Sequence, residues 1–369
     1  MVVEILRLGI YQIIYMDKVP ESAAVNESVK LAKKLTRGLS GFVNAILRSV
    51  IREQDSIGIE DLAANDIEAI SFIYNIPLWL INLWIREFGR DKTEDLCAWF
   101  NEQPKLTARI NTILIDIPQC LTMLNEQGWA VTQDSNYEDI IYINSHRGSL
   151  EKSEAFIKGY ITFMDKASML VARLVNPQPG ERILDCCAAP GGKSMYMATL
   201  MDNVGSLMSC DIHEHKIELL NSNADRLGAS IVHTKVQDAT KLPDSWNSYF
   251  DRVLVDAPCS GLGILQKKLD MRWRKQESIL RELPPLQLAI LERAAMTVKE
   301  KGYLIYSTCT LNYKENEEVV ESFLQKHKEF SIIPVVEDFP LKSNSGMITT
   351  YPPTDDMDGF FMVKMQRIS

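Results

Sequence analysis

Two cysteines, three aspartates and a glycine-rich turn are the residues of this chain whose types and positions suit chemistry. ILDCCAAPGGKS, residues 183–194, reads as a strand ending at Asp185, a turn of small residues with Pro190, and a helix opened by Gly191 and Gly192. Such a turn lets a ligand approach the backbone at a helix N-terminus. Its spacing is neither GxGxxG nor the GxxxxGK(S/T) of a phosphate-binding loop, which disfavours a nucleoside triphosphatase. The next strand-like run ends in Asp211, where an acid would hydrogen-bond a ribose diol. A third leads to Asp238, where a carboxylate would accept from the exocyclic amine of adenine. Each aspartate alone reads equally well as a helix N-cap. The series, with the glycine turn, points to a nucleoside-containing cofactor.

FDRVLVDAPCSGLG (250–263) and GYLIYSTCT (302–310) then put Cys259 and Cys309 just past the carboxyl ends of two further strands, on the edge where the ligand is expected. A single buried cysteine is ordinarily inert core. Two at adjacent strand ends, each flanked by Ser or Thr and one preceded by Asp256-Ala257-Pro258, are harder to explain as filler. His213 and His215 have no Cys or acid set at ligand spacing beside them, so no metal site is expected.

The elements that must position these residues alternate regularly. RILDCCAA, SLMSCDI, ASIVHTKV, DRVLVDAP and GYLIYSTC are near-continuous apolar runs, and all but the third are followed by helical segments. That rhythm predicts a mostly parallel sheet with helices on both faces. FSIIPVV and GFFMVKMQ are expected to add edge strands. Upstream, residues 81–170 alternate helical segments with the strand-like LTARINTILI and DIIYIN, a small α+β module. Residues 61–80 read as a linker helix with a boundary at Pro77, and residues 1–60 as helices. Between Ser28 and Arg52 stand six basic residues and no acid: Lys30, Lys33, Lys34, Arg37, Arg48 and Arg52. A solvated helix face explains them as readily as an RNA-facing patch.

Composition bounds these readings. At 369 residues two or three domains are expected, and 46% hydrophobic with 24% charged residues excludes disorder and low complexity. Forty Lys and Arg against 49 Asp and Glu, a net charge of -9, exclude a protein that coats nucleic acid by bulk charge. Seven cysteines without CxxC spacing suggest the reducing cytoplasm rather than a disulfide framework. The N-terminal segment has no cleavage site of the signal-peptide type, and no apolar run reaches the ~18 residues of a membrane span.

DCCAAPGGKS, DAPCSG and YSTCT, in this order and on these strands, resemble the S-adenosylmethionine-dependent RNA cytosine-5 methyltransferases of the Sun/Fmu (NOL-Sun) family. The likeness runs on through RLG at 226–228, Trp273-Arg274, ENEEVV at 315–320 and DGFFMVKM at 358–365. It implies a Rossmann-like methyltransferase domain over 171–369. LRLGIYQIIYMDKVPESAAVNESVKLAKK and GFVNAILR resemble the later helices of the NusB-like RNA-binding domain that one branch of the family carries. The resemblance therefore implies a partial NusB-like domain over 1–60 and a 16S ribosomal RNA substrate; nothing in the sequence demands more than a monomer.

Carbon 5 of cytosine is a poor nucleophile, and adding a thiolate to carbon 6 makes it an enamine that can attack a methyl group. By the resemblance Cys309 is that thiolate, Asp256 stabilises charge at the ring nitrogen, and Cys259 assists release of the product. The resemblance assigns cofactor contacts to Cys187, Ala188, Ala189, Pro190, Gly191, Gly192, Lys193, Asp211, Asp238 and Asp256. An unstacked base calls for stacking groups and a positive rim, and QKKLDMRWRK (266–275), directly after the Cys259 loop, has five basic residues and one acid around Trp273. Lys216 stands where members often have Arg and is not counted as a contact; Leu269 replaces a usual Pro and Lys301 a frequent Gly. Methylation of an amino group would need an Asn/Asp-Pro-Pro-aromatic loop after the fourth strand, where this chain has DAPC. The remaining alternative is an RNA-binding ribosome-assembly factor that keeps the fold without catalysis.

Overall fold

Helical apolar spacing in the first 53 residues resolves into α1 (Val2–Tyr15), α2 (Glu21–Leu35) and α3 (Ser40–Glu53) around Ile5, Val25, Ala32, Val43 and Leu47. The computed structural model describes residues 1–53, 66–334, 339–341, 343 and 345–368; the start of the expected linker and the end of FSIIPVV lie outside the described residues. Gly9 lets the helices approach, since a Cβ there would lie 2.7 Å from Ser28 Oγ and 2.8 Å from Leu47 Cδ1. The six basic residues of α2 and α3 and their connection are all exposed, and Lys30 is paired with Glu27 at 2.7 Å. α4 (Asp66–Tyr74) ends at Asn75, whose φ of 52° and the bond from Ile76 N–H to Ser71 O close the helix. The first compact unit, Met1–Leu78, ends here.

The second unit, Trp79–Ser369, begins within α5 (Leu78–Phe88) and contains α6 (Arg90–Asn101) and two sheets. The smaller sheet is antiparallel, in the order β2-β3-β1-β4, from β1 (Thr107–Ile110), β2 (Ala130–Gln133), β3 (Ile140–Ser145) and β4 (Ile161–Phe163). α7 (Ile117–Glu126) and α8 (Glu154–Ile157) share its core through Cys120, Leu124 and Ala155. Only the first half of LTARINTILI is strand. Asn111 leaves the strand because its Nδ2 donates to Gly159 O at 3.0 Å and to Leu227 O at 2.9 Å, anchoring a turn there.

The larger sheet has the order β10 (Phe330–Ile332), β12 (Phe361–Arg367), β9 (Val298–Thr308), β8 (Phe250–Asp256), β5 (Arg182–Asp185), β6 (Ser206–Asp211), β7 (Val232–Val236), with β11 (Met347–Thr349) paired to β12. β5, β6, β7, β8 and β9 are parallel, as expected. α9 (Lys166–Val175), α10 (Gly192–Leu200) and α11 (Glu214–Leu227) cover one face around Ile183, Leu254 and Ile305. Beyond α12 (Met271–Arg274), α13 (Ile279–Ala295) and α14 (Glu317–Lys326) cover the other around Leu184, Val253 and Leu304. Alternate residues of β5, β8 and β9 thus serve different helix layers, which is why these runs are largely apolar, whereas β7 at the sheet edge, with His233 and Lys235 exposed, is not.

One expectation needs correction. GFFMVKMQ is not an edge strand: β12 (Phe361–Arg367) lies antiparallel between β9 and β10 (Phe330–Ile332), buried on both sides. β11 (Met347–Thr349), three residues long and preceding α15 (Pro352–Asp355), had no readable signal. Lys301, where the family often has Gly, has a φ of 63°, a left-handed conformation that glycine adopts without cost.

Candidate functional site

Strand order reverses at β5, which pairs with β6 on one side and β8 on the other, and a cleft opens beyond the carboxyl ends of these strands. Its volume is about 460 Å³, and its wall includes Cys187, Ala189, Asp211, Asp238, Asp256, Cys259 and Cys309. Residues from Cys187 to Cys309 are therefore brought together by five strand ends, those of β5 to β9.

Asp256 ends β8 and sits beside Ser307 of β9 in the parallel register. Ser307 Oγ donates to its Oδ1 at 2.8 Å, and Lys193 Nζ, from the first turn of α10, lies 2.7 Å from its Oδ2. Burial pulls the Lys193 ammonium down, but the Asp256 carboxylate outweighs it and holds the lysine above its ordinary value. The same register sets the two thiols side by side, with Cys259 Sγ and Cys309 Sγ 3.2 Å apart. The Cys309 N–H also donates to Cys259 Sγ at 3.3 Å. The contact with Cys309 and burial push the Cys259 thiol well up, so Cys259 is kept as S–H.

On the far side of the cleft, Asp211 Oδ1 accepts from His213 N–H at 3.0 Å, and Asp238 Oδ1 accepts from Thr240 N–H at 2.9 Å and its hydroxyl at 2.7 Å. Both acids are thus helix or turn caps and cleft-lining groups at once. The bonds from Thr240 hold the Asp238 carboxyl below its usual range. Each keeps its second oxygen out of short hydrogen bonds, with Lys216 Nζ 3.5 Å from Asp211 Oδ2 and Lys241 Nζ 3.6 Å from Asp238 Oδ2. These two acceptors, with Ile212, Leu286 and Ile290 between polar ends, fit a molecule carrying a diol, an amine and an apolar ring.

Other residues of the turn do not reach the cleft wall. Pro190 is exposed, and its carbonyl accepts from Asn223 Nδ2 at 3.0 Å. Gly191 has a φ of 103° and faces α11, where a Cβ would lie 3.3 Å from Leu220 Cγ; Gly192 faces Met164 at 3.5 Å. These glycines answer to backbone conformation and helix packing. Ala188 is buried, its N–H donating to Cys210 O at 2.7 Å. Asp185 is buried too, accepting from Ser194 Oγ at 2.7 Å, and burial raises its carboxyl to about 7.

The basic run 266–275 is less of a rim than its composition suggests. Lys267 is bound by Asp165 and Asp358, and Arg272 is buried, donating to Phe100 O at 2.6 Å and Asn101 Oδ1 at 2.7 Å. Lys268, Trp273 and Arg274 are exposed, and Arg274 is paired to Asp270 at 3.1 Å. Lys216, Gln237 and Thr240 line the cleft without having been counted as contacts. Lys216 was readable from its place just after the Asp211 strand; Gln237 and Thr240 flank the Asp238 that the sequence did mark.

A family model described as 16S rRNA methyltransferase RsmB/F matches residues 172–366, the NusB family matches 1–52, and the RsmF/B-like ferredoxin-like domain matches 76–148. The probable ribosomal RNA small subunit methyltransferase B of Bacillus subtilis is 36% identical, over 99% of this chain and 83% of that protein. Its namesake in Synechocystis is 38% identical, over 98% of this chain and 82% of that protein. The crystal structure of PH0851 superposes with a TM-score of 0.86 at 27% identity, over 99% of this chain and 82% of that one. A methyltransferase homolog from Pyrococcus horikoshii shares the fold, with a TM-score of 0.71 at 22% identity over 83% of this chain and all of its own.

Proposed function

The chain belongs to the RsmB/F family of 16S rRNA methyltransferases, and from that premise we propose that it methylates carbon 5 of a cytosine in 16S ribosomal RNA through a covalent adduct with Cys309. The observation that carries this reading is the pair of thiols 3.2 Å apart in the same cleft as the Lys193–Asp256 pair. S-adenosylmethionine, bound in that cleft, supplies an electrophilic methyl group on sulfur. Asp211 accepts from its ribose diol and Asp238 from its adenine amine, while Cys187 and Ala189 of the turn and Asp256 border the rest.

The cytosine must be unstacked to enter, and the exposed Trp273 offers it an aromatic face. The Cys309 thiolate adds to carbon 6 and makes carbon 5 nucleophilic. Asp256, fixed by Ser307 and Lys193, acts through a proton held between its carboxyl group and the ring nitrogen beside the exocyclic amine, and that proton neutralises the negative charge that the addition pushes onto the nitrogen. Once carbon 5 is methylated its remaining proton leaves, and the bond from Cys309 to carbon 6 breaks. Cys259, held as S–H within reach of Cys309, protonates or hydrogen-bonds the departing thiolate.

The exposed basic residues of α2 and α3 serve the same substrate as an RNA-facing patch of a NusB-like domain over residues 1–60, joined by a linker to a module over 81–170 and the methyltransferase domain over 171–369. The enzyme acts as a monomer in the cytoplasm; among the described residues no single helix is long and apolar enough to cross a membrane. Bisulfite sequencing of 16S rRNA from cells with and without the gene tests the reading. One 5-methylcytosine is lost with the gene and restored by wild type but not by Cys309→Ser; an unchanged map refutes it.

A further inference from the structure

The two thiols sit on separate loops, and something must hold those loops together. Cys259 belongs to the connection after β8, and Cys309 is the first residue after β9. Ser260 and Thr310, each next to its cysteine, are fully buried, and their hydroxyls meet at 2.7 Å. Both loops converge on Glu315, a carboxyl group with no exposed surface. Its Oε1 accepts from Ser260 Oγ at 2.5 Å and Asn312 Nδ2 at 2.9 Å. Its Oε2 accepts from Ser260 N–H at 2.8 Å and Gln287 Nε2 at 3.0 Å.

Gln287, from α13, donates with the same nitrogen to Pro258 O at 3.0 Å, so it braces the Cys259 loop from a second side. The segment carrying Glu315 is itself fixed to β9. Tyr306 OH donates to Glu315 O at 2.6 Å, and the next residue, Asn316, donates to Thr310 O at 2.9 Å while accepting from Thr308 Oγ1 at 2.5 Å. All four donors to the carboxyl group are neutral. A buried acid paired only with neutral groups is a costly way to stabilise a core, and apolar residues of similar volume would do that more cheaply. What it provides is four directional bonds that tie residue 260 to residue 312 and the helix behind them.

We propose that Glu315 is the positioning residue that holds the Cys259 and Cys309 thiols at their working separation. The proposal rests on the cysteine chemistry above, but its first test does not. A monoarsenical such as phenylarsine oxide bridges two thiols held this close, forming two As–S bonds and releasing one water. Wild-type enzyme takes up the reagent at this pair, and Cys259→Ser or Cys309→Ser abolishes that uptake.

Glu315→Gln keeps the shape but leaves one acceptor oxygen for four donors and turns N–H groups against two of them. Bridging affinity then falls about tenfold or more, and kcat about 10²-fold, with KM for RNA and for S-adenosylmethionine within about threefold of wild type. If Glu315→Gln does not fold, Ser260→Ala decides the matter. It removes the hydroxyl between Glu315 and Thr310, and both bridging and kcat fall by about threefold or more. Bridging and kcat that stay within about twofold of wild type in the folded variant overturn the proposal. Loss of bridging with unchanged kcat overturns the role of the spacing in catalysis, whereas an inactive wild type that still bridges would count against the cysteine reading alone.

Discussion

Gly263→Ala is the change whose consequence follows most directly from distances in the site. A Cβ at residue 263 would stand 1.8 Å from Gly359 O and 2.6 Å from Gly359 C, backbone atoms with no side chain to swing away. To reach ordinary contact the two segments must separate by about 1.5 Å. That movement breaks the bond from Gly359 N–H to Gly263 O, now 2.8 Å, and strains that from Gly263 N–H to Cys309 O, now 3.0 Å. The lost hydrogen bonds and the overpacking together cost about 3–5 kcal/mol, or a fall in Tm of about 10 °C for a unit of this size. Because the second bond holds the Cys309 carbonyl, single-turnover methyl transfer slows by about 10²-fold even where the variant is fully folded. Gly41→Ala is the control: a Cβ there meets nothing within 4 Å, and in the first turn of α3 the change alters stability by less than about 1 kcal/mol. Thermal melts and rapid-quench assays at a temperature where both variants are folded separate the two effects. A Gly263→Ala enzyme with unchanged Tm and rate would refute the reasoning.

Two further outcomes follow from the geometry of the same cleft. Cys259→Ala removes the S–H beside Cys309, so a protein–RNA complex resistant to denaturation builds up on ordinary RNA; rapid turnover without such a complex on denaturing gels would count against its part in release. The folded-state value of about 7 for Asp185 lies above its unfolded value near 3.8, so the unfolded chain gives up this proton first. Stability attached to this group is therefore lost as pH rises from about 4 to about 7, by an amount on the order of 3–4 kcal/mol. Urea unfolding at pH 5 and pH 8 shows Asp185→Asn gaining on wild type by about 2–3 kcal/mol, the part of the loss that falls between those pH values, and a gap independent of pH would show that Asp185 is not the group responsible.

Most of the larger sheet was legible because the inner parallel strands β5, β8 and β9 carry apolar residues on both faces and end in an acid, a thiol or a turn. β12 read as an edge strand because the apolar run of Phe361, Met362 and Val363 says that the segment is buried, but not which neighbours bury it. β11 was too short to leave a period. The acids and thiols of the cleft were marked by their place at strand ends, but their spacing was not, since it depends on the register of Asp256 against Ser307. Charge in the 266–275 run misled for a related reason. Lys267 and Arg272 are committed to Asp165, Asp358 and the end of α6, partners about 90 to 170 residues away that no local window contains. Glu315 lay inside the quoted ENEEVV, yet nothing in an acidic helix start distinguishes a buried hub from a solvated first turn.

The measurement closest to the central claim is covalent trapping on RNA that carries 5-fluorocytosine at the target position, with S-adenosylmethionine present. Fluorine blocks the loss that normally follows methylation, so the thiol adduct cannot be released. Wild-type enzyme is expected to give a protein–RNA band that survives denaturation, and mass spectrometry of the digested band places the nucleotide on Cys309. Cys309→Ser is expected to give none. A band that persists in Cys309→Ser and disappears in Cys259→Ser would contradict the account by exchanging the roles of the two thiols.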